Sequence, residues 1–358
     1  MSAPTPRPRV AVVFGGRSSE HGISCVTAGS VLAAIDPEKY DVVPVGIATD
    51  GRWVLQSGDT SRLAISGSTL PSVDVSRAAE DSSVPELISA VDVVFPLLHG
   101  PWGEDGTIQG MLEMADVRYV GAGVLASAVG MDKAYLKVVL RAAGLPVLPG
   151  VVVTGREWDA DPDACRRRID ELGYPVFAKP ARGGSSFGIS KVHDASELDE
   201  ALALAWKHDP KVLFEVAAPT GSREVECGVL ESFDGGPETS VPAEITVTGD
   251  HEFYDFEAKY LPEEHTQLDI PADLPPGATA KIQELSARAF DAVSCEGLAR
   301  VDFFLLPDGE LVINELNTMP GFTPLSMFPQ MWKASGLDYP ALVERLLELA
   351  LRRSTGLR

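Results

Sequence analysis

The chain has 358 residues, 45% of them hydrophobic, and its 52 acidic side chains outnumber 30 basic ones for a formal net charge of −22. That acidic excess excludes a general nucleic-acid or anionic-membrane surface, because no surplus of Lys and Arg remains to neutralise phosphates; an anionic ligand would need a local basic pocket. No stretch approaches ~18 uninterrupted apolar residues, MSAPTPRPR lacks the apolar core of a signal peptide, and four scattered cysteines (Cys25, Cys165, Cys227, Cys295) read as reduced, packed thiols, so a cytoplasmic protein without membrane insertion is expected.

At ~150 residues per domain the length allows two or three domains. VAVVFGG (10–16) is an apolar strand meeting a glycine turn, and SSEHGISCVTAGSVLAAI then reads as a capped helix. VVPVGI (42–47) and VDVVFPLL (91–98) are further buried strands, and GTIQGMLEMADV spaces Ile108, Met111, Leu112 and Ala115 as a helix. This alternation predicts an open α/β sheet, with the Ser-rich residues 57–90 as a surface excursion. Residues 132–146 read as a helix closed by Gly144 and Pro146. There follow a strand at VVVT, a helix around CRRRIDELG, a strand PVFAKP running into ARGGSSFGISK, an Ala/Leu-rich helix and the strand KVLFEV (211–216). REVECGVL alternates as a half-exposed strand, residues 249–265 read as a functional loop without period, and a long helix spans 277–294. ALVERLLELALRR is the last helix. Boundaries near residues 130 and 225 give three domains: 1–130, 131–225 and 226–358.

The hairpin ARVDFFLLPDGELVINELN carries the sharpest chemical signal. Alternation puts Leu311, Ile313, Glu315 and Asn317 on one face. If Leu306 faces Leu311 across the Pro307-Asp308-Gly309 turn, Asp302 stands opposite Glu315 and Arg300 opposite Asn317. Phe304, Leu306, Leu311 and Ile313 on that face argue that it packs inward. Two opposed carboxylates there need a cation, and Mg2+ takes such oxygen ligands together with phosphate and water. In KPARGGSSFGISK, Lys179 ends a buried strand, and Gly183, Gly184, Ser185, Ser186 and Gly188 form a loop with donors suited to phosphate. In LLHGPWGEDGTIQG, His99 follows the third buried strand, where open α/β sheets place ligands. Glu20 begins the first helix; taken alone it complements the helix dipole, and a substrate ammonium is the alternative.

GGRSSEHGIS, HGPWGEDGTIQG, MDK, KPARGGSSFGIS, FYDFEAKY, ARVDFF and NELNTMPGFTPLSMFP occur in this order over nearly the whole chain. Together they resemble the D-alanine–D-alanine ligases of the ATP-grasp superfamily. The resemblance implies a three-domain ATP-grasp fold: an N-terminal open parallel α/β domain and two α+β domains clamping ATP. It implies ATP- and Mg2+-dependent joining of two D-alanines through an acyl phosphate, feeding peptidoglycan synthesis, with two Mg2+ ions (Mn2+ as substitute) and a homodimer. By motif position, Lys133 and Lys179 bind ATP phosphates, Lys259 the γ-phosphate, and Ser185 and Ser186 belong to the phosphate loop. Glu215 and Glu224 hold the adenine and ribose side, and Asp302, Glu315 and Asn317 the metal. Arg300 and the Gly321 N–H stabilise the oxyanion, Glu20 and His99 take the first D-alanine, and Ser326 and Met327 the second. Tyr260, Ser185 and Glu20 form a trio near the attacking amine. Relatives that join D-alanine to D-lactate or D-serine are the nearest alternative, and Lys259-Tyr260 within FEAKYL argues for D-alanine. A regulatory nucleotide binder would not need the full Arg300, Asp302, Glu315, Asn317 set, and a dehydrogenase would need the absent G-x-G-x-x-G.

Overall fold

The first expected strand forms in the computed structural model, which describes residues 6–67, 69–77, 84–184, 187–247 and 266–356. β1 (Arg9–Gly15) is the centre of a five-stranded sheet with β2 (Asp41–Ile47), β3 (Trp53–Leu55), β4 (Val93–Pro96) and β5 (Arg118–Tyr119), in the order β3-β2-β1-β4-β5. All its pairings are parallel except the edge pair β2–β3. Helices α1 (His21–Ala34), α2 (Val84–Ser89) and α3 (Thr107–Met114) connect these strands. The turn from β1 into α1 requires glycine: Gly15 has φ +89°, and a Cβ there would lie 2.4 Å from the Ile47 carbonyl oxygen.

Two short helices, α4 (Val124–Met131) and α5 (Lys133–Ala142), lead into the second sheet. Its strands are β6 (Gly150–Thr154), β7 (Val176–Pro180), β8 (Ser190–Val192) and β9 (Lys211–Val216), all antiparallel in the order β6-β9-β7-β8. Helices α6 (Gly155–Ala160), α7 (Pro162–Asp170) and α8 (Leu198–Ala205) accompany it. Ile169, Leu198 and Leu202 pack with Val176, Val212 and Phe214 as its own core. The third sheet is antiparallel, with β10 (Arg223–Glu231), β11 (Pro237–Thr239), β12 (Ala243–Val247), β13 (Thr266–Asp269), β14 (Leu298–Leu305) and β15 (Leu311–Asn317). Its path is β13-β12-β10-β14-β15, with β11 beside β10. α9 (Ala278–Ala292) covers one face of it through Ile282, Leu285 and Ala289. α10 (Met327–Ala334) and α11 (Tyr339–Arg352) follow. Leu342, Val343, Leu346, Leu347 and Ala350 form a helical stripe that returns to Val10, Val12, Val93 and Phe95 of the first sheet, so the end of the chain closes the N-terminal core. Among the described residues no helix is long and apolar enough to cross a membrane.

Three sequence expectations change. β10 is not half-exposed: Val225 to Leu230 are all buried, because α9 covers Val225, Cys227 and Val229 while Phe328 and Trp332 of α10 press against Gly228 on the other face. Residues 57–90 are more than a surface excursion, since Leu63, Val73 and Ile88 are buried and Val73 packs over Gly15 and Gly46. The hairpin pairs Asp302 with Glu315 and Arg300 with Asn317 as expected, but Leu311 faces Leu305, and Ile313 faces Phe303. A bulge at Asn314 absorbs the extra residue. Leu311 and Ile313 therefore turn to the core with Phe303 and Leu305, while Glu315 and Asn317 stand with Asp302 and Arg300 on the opposite face.

Candidate active site

A cavity of about 380 Å3 lies where the three sheets meet. Its floor is set by α5, whose N-terminus is capped by the Asp132 carboxylate accepting from the Ala134 and Tyr135 N–H groups at 3.2 and 3.1 Å. Lys133 and Lys137 are one helical turn apart and share a face. Lys133 Nζ donates to the Gly183 carbonyl at 2.8 Å and lies 3.5 Å from Glu315. Lys137 Nζ is 2.6 Å from Glu215 Oε1 and donates to the Ile313 carbonyl at 3.1 Å, so it joins the second sheet to the third. Lys179, at the end of β7, reaches the other Glu215 oxygen at 2.7 Å. Burial pulls the Lys137 ammonium below its usual range, although Glu215 opposes the shift. Burial raises the Glu215 carboxyl, but the charges of Lys179 and Lys137 outweigh it and hold the group below its ordinary value.

The C-terminal wall is the hairpin face. Arg300 forks onto Asp302 with Nε and one terminal nitrogen at 2.7 and 2.6 Å, and its Nε lies 3.0 Å from Glu226 on β10. Asn317 Nδ2 donates to Asp302 Oδ2 at 3.0 Å. Burial disfavours the guanidinium charge, but Asp302 and Glu226 more than offset it and raise the Arg300 pKa well above its usual value.

The third wall comes from the carboxyl ends of β1 and β4. Glu20 is the N-cap residue of α1 and is buried. Gly100 and Gly184, from two separate loops, crowd its carboxylate: a Cβ on either would lie 2.4 or 2.8 Å from Glu20 Oε2. His99 is buried, with Nδ1 3.2 Å from the Met319 carbonyl and Nε2 3.3 Å from Thr27 Oγ1. The carbonyl can only accept, so Nδ1 carries the proton and Nε2 accepts from Thr27. Burial also lowers the His99 pKa, against the pull of Glu20. His99 is thus a neutral imidazole that ties the first sheet to the loop after β15. Glu104 accepts from the Gly100 N–H at 2.7 Å and the Met319 N–H at 3.2 Å, and burial, with the charge of Glu20, pushes its carboxyl up to about 8.

Of the residues singled out from the sequence, Glu20, His99, Lys133, Lys179, Glu215, Glu224, Arg300, Asp302, Glu315, Asn317 and Gly321 all line this cavity. Ser326 and Met327 do not: the Ser326 hydroxyl meets the Thr323 hydroxyl at 2.9 Å, and Met327 packs with Ile245 and Met331. Ser185, Ser186, Lys259 and Tyr260 lie outside the described residues. Sequence reading passed over Lys137, Glu226 and Glu104. Each had a signal: Lys137 follows Lys133 by one turn, Glu226 shares a strand face with Glu224, and Glu104 sits inside HGPWGEDG.

Among the described residues no group of three or more His, Cys, Asp or Glu side chains could hold a metal ion by itself. Asp302 and Glu315, directly paired, with the Asn317 amide on the same face, nonetheless form an oxygen-donor set that fits a hard cation completing its shell with phosphate oxygens.

An open, mostly parallel α/β sheet beside two antiparallel sheets that close on a lysine-floored, carboxylate-walled cavity is the ATP-grasp fold of ligases. The D-ala D-ala ligase N-terminus family matches residues 9–122 and the D-ala D-ala ligase C-terminus family matches residues 139–348. The chain belongs to the D-alanine–D-alanine ligase family. It is 60% identical over 369 residues to the D-alanine–D-alanine ligase of Arthrobacter sp. (strain FB24), covering 98% of this chain and 96% of that one. The D-alanine–D-alanine ligase of Streptomyces avermitilis is 57% identical, with 99% and 97% covered. Among solved structures, the D-alanine–D-alanine ligase from Coxiella burnetii is 33% identical with a TM-score of 0.78 over 98% of this chain and 95% of that one. The VanG D-Ala:D-Ser ligase from Enterococcus faecalis is 34% identical with a TM-score of 0.80 over 96% and 100%. Membership of this family implies ATP and a divalent metal ion.

Proposed function

We propose that this protein joins two D-alanines to D-alanyl-D-alanine for peptidoglycan synthesis, driven by ATP. The observation that carries the reading is the convergence of Lys133, Lys179, Glu20, Arg300, Asp302, Glu315, Asn317 and Gly321 on one cavity. In the first step a carboxylate oxygen of the first D-alanine attacks the γ-phosphorus, and ADP leaves. In the second, the amine of the other D-alanine attacks the acyl carbon, loses a proton, and the tetrahedral adduct expels phosphate. Neither step needs a protein nucleophile; both need positioning and charge.

Lys133 and Lys179 take ATP phosphates, with Ser185, Ser186 and Lys259 completing the phosphate side, Lys259 at the γ-phosphate. Glu224 and Glu215 form the adenine and ribose side; Glu215, already held by two lysines, fixes Lys179 more than it meets the nucleotide. Asp302, Glu315 and Asn317 would hold two Mg2+ ions, with Glu315 serving both and Mn2+ as substitute, and the metal would supply positive charge beside the phosphates. Arg300 and the Gly321 N–H receive the oxyanion. Glu20 takes the first ammonium, with His99 beside the carboxylate. Ser326 and the backbone at Met327 take the second carboxylate, and Tyr260, Ser185 and Glu20 orient the attacking amine. The domains 1–130, 131–225 and 226–358, a homodimer and a cytoplasmic setting complete the reading.

Phosphate release from ATP with Mg2+ and D-alanine, with D-alanyl-D-alanine as product, is the test. D-serine, D-lactate and L-alanine are offered in parallel as second substrate. No turnover with D-alanine, or equal turnover with L-alanine, sinks the assignment; a preference for D-serine moves it to the D-Ala:D-Ser ligation for which VanG is named.

A further inference from the structure

His21 follows Glu20 in GGRSSEHGIS, is buried, and does not line the cavity. Its ring closes the turn that carries Glu20, with Nδ1 2.7 Å from the Gly16 carbonyl. On its other side Nε2 accepts from the Val73 N–H at 3.3 Å. A carbonyl only accepts and a backbone N–H only donates, so the proton sits on Nδ1 and both ring nitrogens are committed. Gly16 is held a second time, its N–H donating to the Ile47 carbonyl at 2.7 Å. Within the turn, Ser18 Oγ donates to the His99 carbonyl at 2.8 Å and accepts from the Glu20 N–H at 3.0 Å.

Val73 comes from the Ser-rich stretch that lies outside every motif carrying the resemblance. Leu70 and Val73 sit directly on glycines of the β1–α1 turn and its neighbours. A Cβ on Gly22 would lie 2.6 Å from Leu70 Cβ, one on Gly15 2.7 Å from a Val73 methyl, and one on Gly46 of β2 2.6 Å from the other. Asp74 is fastened just past β3, its N–H donating to Gln56 Oε1 at 3.2 Å and its carbonyl accepting from Gln56 Nε2 at 3.0 Å. Residues 69–74 are thus a strap laid across the Glu20 turn, and His21 is its buckle.

We propose that His21, buckled to the strap at Val73, is a positioning residue that aims Glu20 at the first D-alanine. The inference rests on the D-alanine ligase reading, in which Glu20 takes the first ammonium. Glu20 stands at the start of α1, so its direction is set by the backbone around it, and that backbone is tied at Gly16, Ser18 and His21. Without the imidazole the Gly16 carbonyl loses its donor and the strap its hold on the turn. β1 and α1 themselves remain packed through Val10, Val12, Cys25 and Ala28, so the fold does not depend on the buckle. The phosphate floor of Lys133, Lys179 and Glu215 stands on α5, β7 and β9, away from the strap. Loss of the buckle therefore reaches D-alanine and spares ATP.

The test compares the parent with His21→Ala and His21→Asn in phosphate release and dipeptide formation, well below the melting temperature of each. For His21→Ala, kcat/KM for D-alanine should fall about ten- to hundredfold, the scale of a small misplacement at a reacting centre, with the KM for ATP within about twofold. Asparagine puts an amide N–H near the place of Nδ1 but cannot reach Val73, so its loss should lie between the parent and His21→Ala. A folded His21→Ala whose kcat/KM for D-alanine stays within about twofold of the parent overturns the proposal. An equal loss in the KM for ATP also overturns it, because that marks a general loosening rather than an aimed carboxylate. A parent that makes no D-alanyl-D-alanine overturns the ligase reading instead. Should neither variant fold, amide exchange in the parent decides. Coupling between sites is reciprocal, so D-alanine added with ADP should slow exchange of the Val73 N–H by about fivefold or more, and a rate that D-alanine leaves unchanged overturns the proposal.

Discussion

The cavity holds two charge clusters made of similar side chains with opposite surplus. On the floor, two lysines, Lys137 and Lys179, close on one carboxylate, Glu215, which leaves one positive charge over. On the hairpin, three carboxylates, Glu226, Asp302 and Glu315, gather around Arg300, with Lys133 3.5 Å from Glu315, so that acidic groups outnumber basic ones among the described residues. Charge inside a protein is tolerated where it is paired, and what is left unbalanced shows the sign of what must arrive. The floor asks for an anion and the hairpin for a cation. Lys133, between the Gly183 carbonyl and Glu315, stands at the seam. A phosphate with its metal ion satisfies both clusters at once.

The comparison breaks first at the hairpin. Glu315→Gln keeps volume and removes one negative charge, and kcat should fall by at least ~100-fold with a raised KM for Mg2+. A variant close to the parent's rate at limiting Mg2+ would show that the negative surplus has no cation to bind. Asp302→Asn should be at least as severe, because Asp302 also holds both the Arg300 fork and the Asn317 amide.

The floor should respond less in rate and more in stability and affinity. Lys137→Met keeps most of the buried stem but strips Glu215 of one partner. Urea unfolding should show a loss of about 3 kcal/mol, the low end for breaking a buried ion pair, because Lys179 remains. Lys179 is then drawn more tightly to Glu215, and the KM for ATP should rise about tenfold, near 1.4 kcal/mol. An unchanged KM would mean that Lys137 only joins the sheets.

The smallest effect is expected outside the cavity. Asp50 and Arg52 pair at 2.7 Å with side chains 52% and 59% exposed. Arg52→Ala should leave activity unchanged and the melting temperature within about 1 °C, since water screens such a pair. A larger change would weaken the distinction drawn between buried surplus charge and surface pairs.

Much of the site was legible because its chemistry sits where local pattern is strongest. An apolar strand running into Glu315-Leu316-Asn317 and a Pro-Asp-Gly turn mark the hairpin, and counting from Leu306 opposite Leu311 gives Asp302 opposite Glu315, a pairing that the structure reaches from Leu305 opposite Leu311 through one bulge. The facing of Leu311 and Ile313 did not follow, because a bulge changes the count on one strand without leaving a residue-type signature at Asn314. The half-exposed reading of β10 failed for a related reason: alternation of polar and apolar residues cannot tell water from an active-site cavity, and Glu224 and Glu226 face the latter.

By itself the sequence determined the order of the main strands and helices, the glycine turns and the two carboxylates of the hairpin. All of these depend on neighbours within a few residues and on residue type. The tertiary structure decided that Lys137 shares Glu215 with Lys179, that His99 is held neutral against Met319, that Glu104 grips a segment more than two hundred residues away, and that α11 returns to the first sheet. Those facts depend on burial and on which distant carbonyls and charges come within 3 Å or so, which no local pattern encodes.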